Sequence, residues 1–193
     1  MALKPSYRKA IIERVRSAER NYCIVLPDIP PAAPPDVAAP TLTVTQKRNA
    51  LIPGISSRPT LECFVKEAER HSIDPFVLLA VMKTEGGRPG EVALNKNGTF
   101  DLGPMSVNTV WLPSLAKHYR TTEPELRIRL ASDGCANVAA GALILKRKIQ
   151  SSGSLWEGVA NYHSSNPVRQ ARYLMRVHSS LTQIAARIAG TSR

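Results

Sequence analysis

Beyond residue 60 the apolar residues of this chain recur at helical spacing, and the segments they define start and stop on capping residues. Thr60 can cap a helix running through about residue 72. Asp74-Pro75 sets a side-chain cap before a proline at the first helical position, and the apolar run "PFVLLAVM" carries that second helix to about Glu85, where Gly86 ends it. Residues 87–106 hold Gly, Pro, Asn and Asp with little periodicity and predict a loop or small hairpin. Residues 107–118 read as helical around Val107, Trp111, Leu115 and Ala116. "TEPE" at 122–125 is a capping box that opens another helix. Asp133 or Asn137 starts a long helix through about residue 149, Ser154 a short one over "LWEGVANYH", and the last runs from about residue 167 to 189. Six or seven helices, at most one small β element and no repeats predict a mainly α domain.

The first sixty residues differ. "SYRKAIIERVRSAERNY" has the spacing of a short basic amphipathic helix. It is followed by "PDIPPAAPPDVAAP", whose six prolines in fourteen residues predict an extended, semi-rigid linker. The expected division is therefore 1–58, a basic helix and proline-rich linker, and 59–193, the helical domain. Over 193 residues the formal net charge is +11, which favours anionic partners such as nucleic acid, anionic lipid or a carboxylate-bearing cell wall. No stretch approaches the roughly 20 apolar residues of a membrane span, and the charged amino terminus lacks the apolar core of a secretory signal. None of Cys23, Cys63 and Cys135 forms a CxxC or zinc-type spacing. Two of them could pair, or all could be free buried thiols.

The chemistry centres on "KTEGGRPG". Glu85 closes an apolar run and faces the negative end of its helix dipole, and neighbours such as Leu79 and Met82 would withhold water. Both effects disfavour the anion and raise proton affinity, as a general acid working near neutral pH requires. The competing reading is a solvated charge at a helix end. The following segment, "LNKNGTFDLGPMSVNTVW", packs Asn95, Asn97, Asp101 and Asn108 around two glycines. Amide side chains there could bind hydroxyl and acetamido groups, and Gly103 allows a close backbone approach.

This stretch, "TEGG…NKNGTFDLGPMSVNTVWLPSL", resembles the lysozyme-like lytic transglycosylases, especially those of conjugation and of type IV and type III secretion systems. "DGCANVAAGALIL" and "WEGVANYHSSNPVRQARYLMRV" resemble later motifs of the same family, so the likeness covers about residues 60–180. The resemblance implies a lysozyme-like α+β fold, a peptidoglycan substrate and no cofactor or metal. It implies Glu85 as the single catalytic acid/base. Gly103 and Met105 would line the cleft, Tyr162 would lie close to the acid, and Asn137 and Gly141 would be helix-packing positions. Asn97, Asn108 and His163 would join the substrate-binding set. Cys63 and Cys135 would form a disulfide, which points to the periplasm or cell envelope. Ser106 stands where the family has a saccharide-holding Gln, Gly86 where Ser often follows the acid, and His163 where Asn is usual.

The product expected from the resemblance is a 1,6-anhydro end on N-acetylmuramic acid. A hydrolytic muramidase using Asp101 as second carboxylate is the near rival. A non-catalytic wall-binding, DNA-binding or recruiting protein is the other. Arg169, Arg172, Arg176 and Arg187 could meet phosphates, but no base-reading motif is evident, and nucleic acid is disfavoured as a partner. Residues 1–58 could dock on a secretion or conjugation apparatus.

Overall fold

The computed structural model describes residues 56–190. The basic helix, the proline-rich linker and Cys23 lie outside the described residues. Seven α-helices and one three-stranded sheet follow: α1 (Leu61–His71), α2 (Pro75–Glu85), β1 (Val92–Leu94), β2 (Phe100–Leu102), β3 (Val107–Asn108), α3 (Leu112–Tyr119), α4 (Glu123–Ser132), α5 (Gly134–Ser152), α6 (Leu155–His163) and α7 (Pro167–Ala189).

Local chemistry sets most of the boundaries. The Cys63 amide donates to Thr60 Oγ1 at 3.2 Å, and the Phe76 amide to Asp74 Oδ1 at 2.8 Å. Both halves of the capping box form at Thr122 and Glu125. Asp133 Oδ1 accepts from the amides of Cys135 and Ala136, so it, rather than Asn137, starts α5. α5 is buried almost all round, at Val138, Ala140, Ala142, Leu143, Ile144 and Leu145, and it packs against α1, α4 and α6. At Gly158 a Cβ would meet Ile149 of α5 at 2.5 Å, so the missing side chain lets α6 approach. Leu78, Leu115, Leu130 and Leu145 are fully buried, and each contributes on the order of 2 kcal/mol.

The segment 107–118 does not form one helix. Val107 pairs with Leu102 and Asn108 with Asp101 as a third antiparallel strand. Asn108 Oδ1 then accepts from the Val110 amide to open a 3₁₀ turn, Thr109–Trp111, and α3 begins only at Leu112. The expected hairpin is therefore a three-stranded sheet in the order β1-β2-β3. Leu102 and Val107 form a buried cross-strand pair, which by strand alternation turns Asp101 and Asn108 to the opposite face.

Cys63 at the start of α1 and Cys135 at the start of α5 form a disulfide with a Cα separation of 5.7 Å. Beside it, Ser57 donates to the Ser132 carbonyl and accepts from the Gly134 amide, at 2.9 and 3.0 Å. Packing of the helical domain thus reaches back to Ser57.

Candidate active site

Glu85 is the last residue of α2, and the two glycines after it have separate functions. Gly86 adopts φ 70 and returns its amide to the Met82 carbonyl, which stops the helix. Gly87 sits where a Cβ would overlap the Gly103 carbonyl, so the chain leaving the acid passes flush against the end of β2. Only 12% of the Glu85 side chain is exposed. The Tyr173 hydroxyl donates to Glu85 Oε1 at 2.7 Å, and His163 Nδ1 lies 4.0 Å from the same oxygen. The His163 and Tyr173 rings stack, 4.4 Å apart and 2° from parallel.

Burial pushes the Glu85 carboxyl up from 4.5 to about 7, and the Asp101 charge adds to the rise. The Tyr173 hydrogen bond and the Arg176 charge act against it. Burial raises the Tyr173 phenol, with Glu85 contributing, so it remains a donor. His163 is held below its ordinary value by burial and by Arg176 and Arg169, against the pull of Asp101.

Behind the acid, one buried amide fixes the turn after β2. Asn137 Oδ1 accepts from the Met105 amide at 2.7 Å, while its Nδ2 donates to the Leu102 and Leu130 carbonyls at 2.7 and 2.9 Å. Gly103, at φ 64, lets that amide in, since a Cβ would come within 2.5 Å of Asn137 Nδ2. Met105 packs against Gly141, where a Cβ would meet its Cε at 2.8 Å. Asn137 and Gly141 are helix-packing positions only in part, because the Asn137 side chain ties together β2, the following turn and α4.

Glu85 opens onto a cleft of about 830 Å³ between the β1–β2 hairpin and the α6–α7 corner. Asp101, Ser106, Asn108, Tyr162 and His163 line it with Glu85, and Asn97 lies at the hairpin end. Met105 and Gly103 do not line it. Both are buried behind the wall, a correction to the expected set that follows from Asn137 drawing the turn inward. Tyr162 lines the cleft but donates its hydroxyl to the Met105 carbonyl at 2.8 Å, so the phenol bonded to the acid is Tyr173, not Tyr162. Asp101 Oδ1 accepts from Asn108 Nδ2 at 2.7 Å across the β2–β3 pair. Asn97 accepts from the Thr99 amide and hydroxyl and is thereby held within the turn. Ser106 has φ 49, a left-handed conformation uncommon for a side-chain-bearing residue.

Four contributors escape a reading of the sequence. Tyr173 falls on the buried stripe of α7 with Val177 and looks like core. Arg176 looks like a phosphate ligand but donates to the Thr84 carbonyl at 2.7 Å, capping the end of α2 beside the acid. Lys96 and Arg169 line the cleft from exposed turns.

A mainly helical domain with a small antiparallel sheet beside a cleft, and a desolvated carboxyl at the end of an apolar helix, has the lysozyme-like α+β arrangement. The family described as "Transglycosylase SLT domain" matches residues 62–177, more than half of the chain, and the chain belongs to that family. It is a lytic transglycosylase, and the family acts on peptidoglycan. The chain is similar to "Invasion protein IagB" of Salmonella typhimurium, 24% identical over 132 residues that cover 68% of this chain and 79% of that protein. It is 26% identical to "Invasion protein IagB" of Salmonella typhi over 111 residues, 57% of this chain and 66% of that one. To "Protein IpgF" of Shigella flexneri it is 26% identical over 133 residues, 68% and 84% of the two chains. No helix among the described residues is long and apolar enough to cross a membrane.

Proposed function

We propose that the domain cuts the β-1,4 bond between N-acetylmuramic acid and N-acetylglucosamine with Glu85 as sole acid and base, leaving 1,6-anhydro ends. Protonated Glu85 gives its proton to the bridging oxygen while the substrate's acetamido group stabilises the cationic anomeric carbon. Glu85, now a base, takes the proton of the primary hydroxyl on the same sugar, and that oxygen closes on the anomeric carbon. No water is consumed. Tyr173 occupies Oε1, which leaves Oε2 to carry the transferable proton. Positioned proton transfer contributes roughly 10²–10⁴-fold, and holding the internal hydroxyl against the reacting carbon adds to it.

The observation that carries this reading is the buried carboxyl pushed up to about 7 at the wall of the cleft, because it is half protonated near neutral pH and can both give and take a proton. The hydrolytic alternative rests on Asp101, which lines the same cleft with one oxygen held by Asn108. The setting proposed is the periplasm or cell envelope, where the Cys63–Cys135 disulfide is stable, and the role is local opening of the wall for a secretion or conjugation apparatus. The relatives called invasion proteins support that role. Residues 1–58 are proposed to dock on the apparatus.

Digestion of purified sacculi followed by mass spectrometry tests the reaction. Anhydro ends are expected from the wild type and none from Glu85→Gln. Reducing ends would transfer the assignment to a hydrolase, and an active Glu85→Gln would remove Glu85 from the chemistry.

A further inference from the structure

The polar side chains of the cleft are mostly committed to the protein itself. Glu85 is held by Tyr173, Asp101 by Asn108, and Tyr162 by the Met105 carbonyl, while Asn97 and Thr99 bond each other within the hairpin turn. Two basic lining side chains differ. Lys96, at the hairpin tip, and Arg169, on the α6–α7 corner, are exposed and have no hydrogen-bond or ion-pair partner among the described residues. Neither forms an ion pair with Glu85 or Asp101, whose carboxyls are bonded to Tyr173 and Asn108.

Arg169 is also in a place that helix electrostatics disfavours. Its amide donates to Asn166 Oδ1, so it lies in the first turn of α7, at the positive end of the dipole, and that turn holds no acidic residue. A neutral glycan offers hydroxyl and acetamido groups, which call for no cation on either wall. Peptidoglycan offers something else: the lactyl ether of each N-acetylmuramic acid carries a short peptide stem ending in free carboxylates.

Resting on the proposed reaction, we infer that Lys96 and Arg169 bind the stem carboxylates, one from each wall of the cleft, and make the enzyme selective for glycan whose stems are present and not amidated. The two residues act on substrate choice and leave the proton transfer to Glu85. One lies on the hairpin turn and the other on a helix, so a strand lying in the cleft meets a cation from each wall.

The test uses the full chain and three soluble glycan preparations of equal length: stems intact, stem carboxylates converted to amides, and stems removed by an amidase. The kcat/KM for the intact form should exceed that for the amidated form by roughly three- to tenfold at low salt, the range of two exposed charge pairs, and the gap should shrink as salt is added. Lys96→Gln with Arg169→Gln should bring the ratio to about one, and Lys96→Glu with Arg169→Glu should invert it. Equal wild-type rates on charged and amidated stems would overturn the inference while leaving the transglycosylase reading standing, as would an unchanged preference in the double Gln variant. Failure of the wild type to cut any of the three would overturn the reading itself, and the inference with it.

Discussion

Holding Glu85 ready as an acid costs stability, and the cost can be measured. Its carboxyl rises from 4.5 to about 7 on folding, chiefly because burial penalises the anion. The folded chain therefore binds this proton more tightly than the unfolded chain, so stability falls as pH rises from 4.5 and levels off above 7. At 1.36 kcal/mol per unit the full penalty is about 3 kcal/mol, against about 0.2 kcal/mol at pH 4. The side chain is only 12% exposed, so solvent screening removes little of it. Glu85→Gln keeps the shape and can still accept from Tyr173, but it cannot ionise. Urea denaturation of both proteins from pH 4 to pH 8 should show the variant gaining on the wild type as pH rises, reaching about 3 kcal/mol above pH 7. That corresponds to a midpoint roughly 6–12 °C higher in thermal melts. A difference independent of pH, or one that shrinks toward alkaline pH, would show that Glu85 is solvated and would remove the physical basis for its role as an acid.

Tyr173→Phe deletes the hydrogen bond that favours the Glu85 anion, so the carboxyl should rise above about 7. A hydrogen bond to a charged group is worth about 1.5–3 kcal/mol, so the alkaline limb of kcat/KM should move up by roughly one to two pH units. A limb that stays put or moves down contradicts the contact. Asn137→Ala would orphan the Met105 amide and the carbonyls of Leu102 and Leu130, and should cost on the order of 3 kcal/mol or more in denaturant titrations. A loss under 1 kcal/mol would show that the turn after β2 is held by other means.

The helices were legible in the sequence wherever a side chain closes a backbone hydrogen bond within a few residues. Thr60, Asp74, Thr122 with Glu125, and Asp133 all cap as their positions imply. Segment 107–118 was misread because Val107, Trp111 and Leu115 do have helical spacing, while the pairing of Val107 with Leu102 comes from a strand formed elsewhere in the chain. Glu85 was legible because a carboxyl ending an apolar run has few ways to stay solvated, and the family likeness pointed to the same residue. Its partners were not. Tyr173 reaches it from 88 residues away along the chain and Arg176 reaches the neighbouring Thr84 carbonyl from 92, and one has the periodicity of core while the other has the look of a surface charge. Met105 and Gly103 were expected on the cleft because they match cleft-lining positions of the family likeness. Only the long-range Asn137 amide, arriving from α5, shows why the turn faces inward.

That amide divides the site into two layers. From the rear, the turn is held by Asn137 hydrogen bonds that involve none of the side chains of Lys96, Ser106, His163 or Arg169. Exchanging one of these four side chains therefore leaves the Asn137 hydrogen bonds in place, much as a lock keeps its housing when its pins are recut. Ser106 and His163, which stand where the family likeness implies Gln and Asn, are two such recut pins, and the same housing can be refitted for other walls.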